Sequence, residues 1–120
     1  MRVCHFTCAH EATDTRVFQK ECVSLAKAGY DVYLVAPNAT SEDKEGVHIV
    51  GVSVSNQHPV YRLLYSSKLI YRKALEIDAD VYHFHDIELF SYGVKLKQNG
   101  KKVIFDSHED WLEYVKEISW

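Results

Sequence analysis

The sequence predicts an α/β fold in which a Rossmann-like parallel sheet is flanked by helices. Two observations predict it. Short apolar segments alternate along the chain with longer segments whose apolar residues recur at helical spacing. The strand-like segments are also too apolar to expose one face, as in the strands of a parallel sheet that is covered on both sides. Right-handed crossovers then place helices on both faces of the sheet.

The first strand and helix lie near the N-terminus. Residues 2–8 form a short, apolar, β-compatible segment that ends at a polar stretch. Apolar residues then recur at helical spacing and predict a helix over residues 16–29. Asp14 or Thr15 can cap its start, and Gly29 can adopt the left-handed conformation that stops it.

Two further strands follow. Residues 31–36 read DVYLVA and are closed by Pro37 and Asn38. A charged loop through residues 44–45 then leads into a third strand at residues 47–52. Both strands are apolar enough to be buried.

The second half repeats the alternation. An apolar stripe predicts a helix over residues 60–77, and residues 81–84 return to strand character. A helix over about residues 89–98 precedes a last strand at residues 103–107. Residues 109–120 are apolar at helical spacing, yet the chain stops on a tryptophan without a cap, so we expect the domain to be interrupted there.

Composition and charge exclude several classes of protein. In 120 residues, a hydrophobic share of 47% fills one globular core, and a net charge of −3 gives no overall attraction to nucleic acid. Because the sequence has neither a signal-peptide pattern nor about 18 consecutive apolar residues, we expect a cytoplasmic protein. Cys4, Cys8 and Cys22 lack CxxC spacing and are predicted to be reduced thiols in the core.

Histidine and acidic residues gather where several predicted strands end. In an open parallel sheet the ligand crevice lies beyond the carboxyl ends of the strands, near the point where the strand order reverses. With the strand order 3-2-1-4-5, the ends of strands one, four and five are neighbours. We therefore expect one crevice that gathers His10, Glu11, His83, His85, Asp86, Asp106, His108, Glu109 and Asp110.

His108 is the strongest candidate in this crevice. Asp106, Ser107, Glu109 and Asp110 concentrate hydrogen-bonding groups around it, beyond what a turn requires. An imidazole in that setting suits a hydroxyl-rich or phosphate-bearing ligand.

Two other interpretations apply to the remaining histidines. The HxHD pattern at residues 83–86 suits zinc, manganese or iron in a metal-dependent hydrolase, but local spacing fixes no third or fourth ligand, and we assign no metal ligand. The simpler interpretation is that a histidine satisfies polar backbone groups at a strand end, with nearby acids as hydrogen-bond partners. It is our default for His5, His48, His58 and His83.

The segment after the first strand is charged rather than glycine-rich. It reads AHEATDTRVF where a GxGxxG motif would belong, which counts against dinucleotide binding. Arg16 lies near backbone donors in the first helical turns, and it fits either an anion contact or a local ion pair with Glu21.

The predicted helix at residues 60–77 has a basic and aromatic face. Tyr61, Tyr65, Lys68 and Arg72 follow positions i, i+4, i+7 and i+11 and share one side. That side fits either contact with solvent or peripheral contact with anionic lipid head groups at the inner face of a membrane.

Three stretches resemble the N-terminal half of the family 4 glycosyltransferases, which are retaining sugar-nucleotide enzymes of the GT-B fold. They read DTRVFQKECVSLAKAGYDVYLVAPN, DADVYHFHDIE and KKVIFDSHED. The resemblance spans nearly the whole chain. It implies that residues 1–120 are a truncated, acceptor-side N-terminal domain, and that the C-terminal domain that binds the nucleotide sugar is absent.

The resemblance also implies roles for the crevice. The histidine that matches His108 orients the donor sugar, and we take it as the catalytic residue. The segment from His10 to Asp14 would line the acceptor and phosphate side. The acceptor would be a glycan or a lipid-linked glycan, and no cofactor is implied beyond the nucleotide sugar as co-substrate. The predicted substrate-binding residues are His10, Glu11, Asp14, Arg16, His85, Asp86, Glu109 and Asp110.

Two departures from the family pattern are visible. Residues 11–13 read Glu-Ala-Thr where many members have a glycine pair. The paired-glutamate motif of the C-terminal domain is missing, so we expect this chain alone to be inactive in sugar transfer. The alternative is a free-standing, non-catalytic Rossmann-like module that binds a sugar or a protein and self-associates through residues 109–120.

Overall fold

The computed structural model describes residues 1–8, 20–54, 60, 62–84 and 86–105 of the chain. Within these ranges six strands form one sheet, and three α-helices pack against it. The strands are β1 (Arg2–Phe6), β2 (Asp31–Pro37), β3 (Glu42–Lys44), β4 (Val47–Val52), β5 (Val81–Phe84) and β6 (Lys102–Phe105). The helices are α1 (Val23–Lys27), α2 (Ser67–Ile77) and α3 (Phe90–Gln98).

The strand order across the sheet is β3-β4-β2-β1-β5-β6. All neighbours are parallel except the β3–β4 pair at one edge. The chain first builds the sheet outward from β1 through β2 to β4, and then returns to the other side of β1 with β5 and β6. The order therefore reverses between β1 and β5, which confirms the predicted Rossmann-like α/β class and the predicted order of its parallel strands.

The edge strand β3 is a correction to the sequence analysis, which placed a charged loop there. Glu42, Asp43 and Lys44 are exposed and pair antiparallel with β4. Glu45 and Gly46 both have positive φ angles, 53° and 84°, as a tight two-residue hairpin turn requires. Charged side chains suit an edge strand because they discourage pairing with another chain, but they hide the strand from an apolar pattern.

The helices differ in detail from their predicted bounds. Of the predicted helix at residues 16–29, the structure shows π-helical winding at residues 20–22 followed by α1. Gly29 has a φ of 97° and ends that segment as predicted. In the predicted helix at residues 60–77, the segment Arg62–Ser66 before α2 is π-helical and not α-helical. The helix predicted at about residues 89–98 is confirmed as α3.

The sheet has a core on each face. On one face α2 and α3 cover a cluster built on the aromatic rings of β1, β5 and β6, where Phe84 packs against Phe6 and Phe105 with ring centroids 5.2 and 5.0 Å apart. On the other face α1 covers Val32 and Leu34 of β2. Both faces of the central strands are thus buried, as their continuous apolar character predicts.

The three cysteines occupy these cores as predicted. Cys4, Cys8 and Cys22 are buried free thiols. Loss of hydration on burial raises the pKa of Cys4 and of Cys22 above that of an ordinary thiol. Both therefore stay protonated at neutral pH, as expected for thiols that serve as small apolar residues.

In the described ranges, the helices are too short or too polar for any of them to cross a bilayer.

Candidate functional site

The ends of β1 and β5 form a small hydrogen-bonded junction at the reversal point of the sheet. The carboxylate oxygen Oδ2 of Asp86 accepts a hydrogen bond of 2.6 Å from the Thr7 hydroxyl and one of 3.1 Å from the Cys8 backbone N–H. Thr7 in turn donates its backbone N–H to the carbonyl of Val35 in β2, at 3.0 Å. Three neighbouring strand ends are thereby tied together.

This junction lies where the crevice of an open parallel sheet is expected. Asp86 follows β5 by two residues and is almost fully buried, while Glu88 lies in the adjacent 3-10 turn Ile87–Leu89. The Cys8 thiol donates to Glu88 Oε2 across 3.8 Å. Of the nine residues predicted to be catalytic or substrate-binding, Asp86 is the one within the described part of the chain. Its carboxylate fixes the geometry of the strand ends.

The other predicted site residues lie outside the described residues, and their predicted roles stay predictions. They are His10, Glu11, Asp14, Arg16, His85, His108, Glu109 and Asp110.

A second group of polar side chains lies on the α1 face of the sheet. His5 of β1 and His83 of β5 are paired in register, and their rings lie 4.5 Å apart between centroids. Oε2 of Glu21 approaches both of them, at 3.4 Å from His5 Nδ1 and 3.6 Å from His83 Nδ1. Three side chains from separate parts of the sequence thus converge next to the strand reversal.

These positions refine the default interpretation of the histidines. His5 and His83 lie one residue before their strands end, and both face an acid from another part of the chain rather than one beside them in sequence. His48 on β4 contacts Asp31 and Asp43 at 3.1 and 2.6 Å, which confirms an acidic partner there. His58 lies outside the described residues.

The sequence contains a signal for the His5–His83 pair that its analysis missed. Residues 3–6 read VCHF and residues 81–84 read VYHF, which is one V-x-H-F pattern in two strands. Because the strands are parallel neighbours in register, equal patterns place histidine beside histidine and phenylalanine beside phenylalanine. The pattern becomes informative once β1 and β5 are known to be adjacent.

The basic and aromatic face on α2 is exposed in the structure. Tyr65, Lys68 and Arg72 are all accessible, so these three members of the predicted face are turned away from the sheet, and Tyr61 lies outside the described residues. Leu64 and Leu69 next to them are 55% and 37% exposed. This surface, Leu64 to Arg72, therefore combines apolar and cationic groups.

Most of the chain matches the sequence profile of a known protein family. The sequence profile described as Glycosyltransferase Family 4 matches residues 15–120, which is most of the chain. A search of curated proteins gave no match. The matched region includes all the described strands except β1, on a sheet of the Rossmann-like class. The chain therefore belongs to Glycosyltransferase Family 4.

Proposed function

We propose that this chain is the acceptor-side half of a retaining glycosyltransferase that moves a sugar from a nucleotide sugar to a glycan or a lipid-linked acceptor. The observation that carries the proposal is the family match over residues 15–120 on a sheet of this class. The hydrogen-bonded junction of Thr7, Cys8 and Asp86 supports it, because it gives a fixed floor to the crevice at the strand reversal. The nucleotide sugar would be bound mainly by a C-terminal domain.

In this proposal the crevice residues divide into positioning and contacting groups. Asp86 holds the ends of β1 and β5 together through the Thr7 and Cys8 hydrogen bonds, and in this proposal it lines the acceptor side of the crevice. His108 would face the donor sugar and stabilise its orientation. The acceptor hydroxyl attacks on the face from which the nucleoside diphosphate leaves, so no residue of this chain needs to be covalently glycosylated.

The first experiment is the intact mass of the native product in its own cell, detected with an antibody against this region. A product about three times longer supports a two-domain transferase, and sugar transfer is then assayed in that protein. A product that ends at Trp120 argues against catalysis.

His108→Ala in the longer enzyme tests the catalytic role directly. We expect turnover to fall at least about tenfold, because the side chain would orient the donor at the reacting carbon. His48→Ala is the matched control, since His48 lies on β4, two strands away from the reversal point. Near-normal turnover of the His108 variant would refute the role.

The second candidate is a non-catalytic module that binds a sugar or a protein and associates with itself. Ile104 favours it, because this large apolar side chain is 46% exposed on β6, which ends the described sheet on one side. In the sequence, β6 comes shortly before the predicted self-association segment at residues 109–120. Sedimentation at increasing protein concentration tests it. A dimer weakened by Ile104→Lys supports this candidate, and a monomer at all concentrations excludes it.

We also propose a peripheral contact between the Leu64-to-Arg72 surface and anionic lipid. Leu64, Tyr65 and Leu69 supply exposed apolar area, and Lys68 and Arg72 supply positive charge. Flotation with vesicles of phosphatidylserine and phosphatidylcholine at low salt should retain the protein, whereas neutral vesicles should not. Lys68→Glu combined with Arg72→Glu should abolish retention, and Lys95→Glu with Lys97→Glu on α3 is the charge-matched control.

A further inference from the structure

We propose that His5, Glu21 and His83 form a binding site for one divalent transition-metal ion of the zinc class. The three residues come from β1, β5 and the π-helical winding before α1, and one ligand atom from each lies within 4.8 Å of the other two. The site does not depend on sugar transfer, and it departs from the sequence analysis, which assigns no metal ligand.

The distances from Glu21 to the two histidines fit ligands of a shared metal ion better than direct hydrogen bonds. Both histidine Nδ1 atoms lie near the same carboxylate oxygen of Glu21, at 3.4 and 3.6 Å. A charge-assisted N–H to carboxylate bond is about 2.7–2.9 Å long. Ligands that lie about 2.0–2.1 Å from a tetrahedral zinc ion are about 3.3 Å from each other. The two separations that involve Glu21 are close to the second value, and the ligand atoms of the two histidines lie within 4.8 Å of each other.

The donor set selects the class of ion. Two imidazoles and one carboxylate suit zinc and its neighbours in the first transition row, whereas magnesium and calcium prefer sites made of oxygen. Two histidines and a glutamate are also a three-ligand set that leaves a tetrahedral ion one open position. That position would take water or a ligand from solvent.

The surroundings of the site favour an ion and still give it access. The His5 side chain is fully buried, and those of His83 and Glu21 are 14% and 20% exposed. Placing a carboxylate there removes part of its hydration, and a bound cation would add a favourable charge interaction. The partial exposure of Glu21 and His83 provides a route from solvent.

A metal ion at this position would join β1, β5 and the residues before α1. His5 and His83 lie two residues before Thr7 and three before Asp86, respectively, so the ion would lie just below the crevice at the strand reversal. The alternative is a direct interaction of the two imidazoles with Glu21 in which no metal ion takes part. The experiment below separates the two.

The test is a calorimetric titration of the EDTA-treated 120-residue chain with Zn²⁺, with Co²⁺ as the spectroscopic probe. We expect one ion per chain, ligand-field absorption of a tetrahedral Co²⁺ complex, and a Zn²⁺-dependent rise in the unfolding midpoint. Glu21→Gln and His83→Gln should each weaken Zn²⁺ binding by at least about 100-fold, since loss of a mere second-shell partner already costs about 10–100-fold.

His48→Gln is the matched control. His48 also lies beside two carboxylates but is at the surface of β4, so its removal should leave Zn²⁺ affinity unchanged. Circular dichroism establishes whether each variant is folded. If a variant does not fold, the Co²⁺ spectrum of the unmodified chain still tests the proposal. The proposal would be overturned if the unmodified chain did not bind Zn²⁺, or if the Glu21 and His83 variants bound it as tightly as the unmodified chain. A thiolate charge-transfer band in the Co²⁺ spectrum would also overturn it, because it would show that a cysteine is a ligand.

Discussion

Asp86 and Thr7 are 79 residues apart in sequence, and a 2.6 Å hydrogen bond from the Thr7 hydroxyl to the Asp86 carboxylate joins the ends of β1 and β5. Both residues are buried. The same carboxylate oxygen accepts the Cys8 N–H, so a single side chain satisfies two buried donors at the strand reversal. A buried carboxylate is retained in a fold only where such donors compensate its lost hydration.

Asp86→Ala is therefore expected to lower the free energy of unfolding by about 2–4 kcal/mol, because it leaves the Thr7 hydroxyl and the Cys8 N–H buried without their acceptor. Urea denaturation of the chain measures it. Asp80→Ala is the control: Asp80 also accepts a backbone N–H of β1, from Arg2 at 2.8 Å, but at an exposed site where water replaces it. Equal losses in both variants would contradict the role of the junction.

Tyr82→Phe tests a second buried polar contact. The Tyr82 hydroxyl donates to the carbonyl of Ala74 and accepts the N–H of Ala79, both at 3.0 Å, and so ties α2 to the start of β5. Burial is the main cause that raises the pKa of this phenol, which keeps it neutral at physiological pH. Removing the hydroxyl leaves two buried backbone groups unmatched, at a cost of about 1–3 kcal/mol in urea denaturation. Tyr30→Phe, at an exposed position, should change stability much less.

Gly93→Ala tests how closely α3 approaches the sheet. A methyl group at Gly93 would lie 2.6 Å from two ring carbons of Phe84. That ring cannot retreat, because it is buried between Phe6 and Phe105. Overpacking of about 1–3 kcal/mol should exceed the roughly 0.5–1 kcal/mol that alanine gains over glycine in a helix, so the thermal midpoint should fall. In the same helix, Ser91→Ala at an exposed position should leave the thermal midpoint unchanged or raise it.

Much of the fold could be predicted from the sequence because the relevant signals are local. The central strands are continuously apolar, and a glycine ends the first helical segment, so the alternation of strand and helix is legible without the structure. Strand β3 could not be found in this way, because Glu42 to Lys44 are charged and owe their conformation to pairing with β4. The π-helical turn before α2 likewise has no distinct apolar period.

In the candidate sites, too, some features have a local sequence signal and others depend on which strands are neighbours. Asp86 could be proposed from its position after a strand, but its partner Thr7 is distant in sequence and appears only when β1 and β5 are paired. The contact of Glu21 with His5 and His83 could not be predicted either, because it also depends on where the residues before α1 lie over the sheet. Such contacts depend on strand register and helix placement, which local periodicity does not encode.

The reactivity of Cys4 and Cys22 tests whether the thiols in β1 and just before α1 are buried. Loss of hydration raises the pKa of Cys4 and Cys22, and both side chains are buried, so neither supplies thiolate to a reagent. We expect iodoacetamide at pH 8 to leave both unmodified in the native chain and to modify both in urea, as read by peptide mass spectrometry. An added exposed thiol, Ser91→Cys, reports that the reagent is active. Rapid native labelling of Cys4 would contradict the packing of β1.

The ion pair between Asp78 and Lys101 predicts a pH-dependent contribution to stability. Lys101 Nζ donates to Asp78 Oδ1 at 2.6 Å, and this hydrogen bond is the main cause that lowers the pKa of Asp78 and raises that of Lys101. Because the folded pKa of Asp78 is depressed, its contribution is present above the unfolded value near 3.8 and is lost as the pH falls through the folded pKa. For Lys101, the raised pKa makes the contribution present below the unfolded value near 10.5 and lost as the pH rises through the folded pKa.

Asp78→Asn isolates this charge, since asparagine tolerates the positive φ of 52° found at this residue. We expect a small decrease in the thermal midpoint at pH 7 that disappears below the folded pKa of Asp78 and shrinks in 1 M salt, because both side chains reach solvent. Glu76→Gln is the control, as its 3.7 Å pair with Lys73 is longer and also exposed. A decrease that stays constant into the acid range would show that the backbone conformation, and not the charge, is what Asp78 supplies.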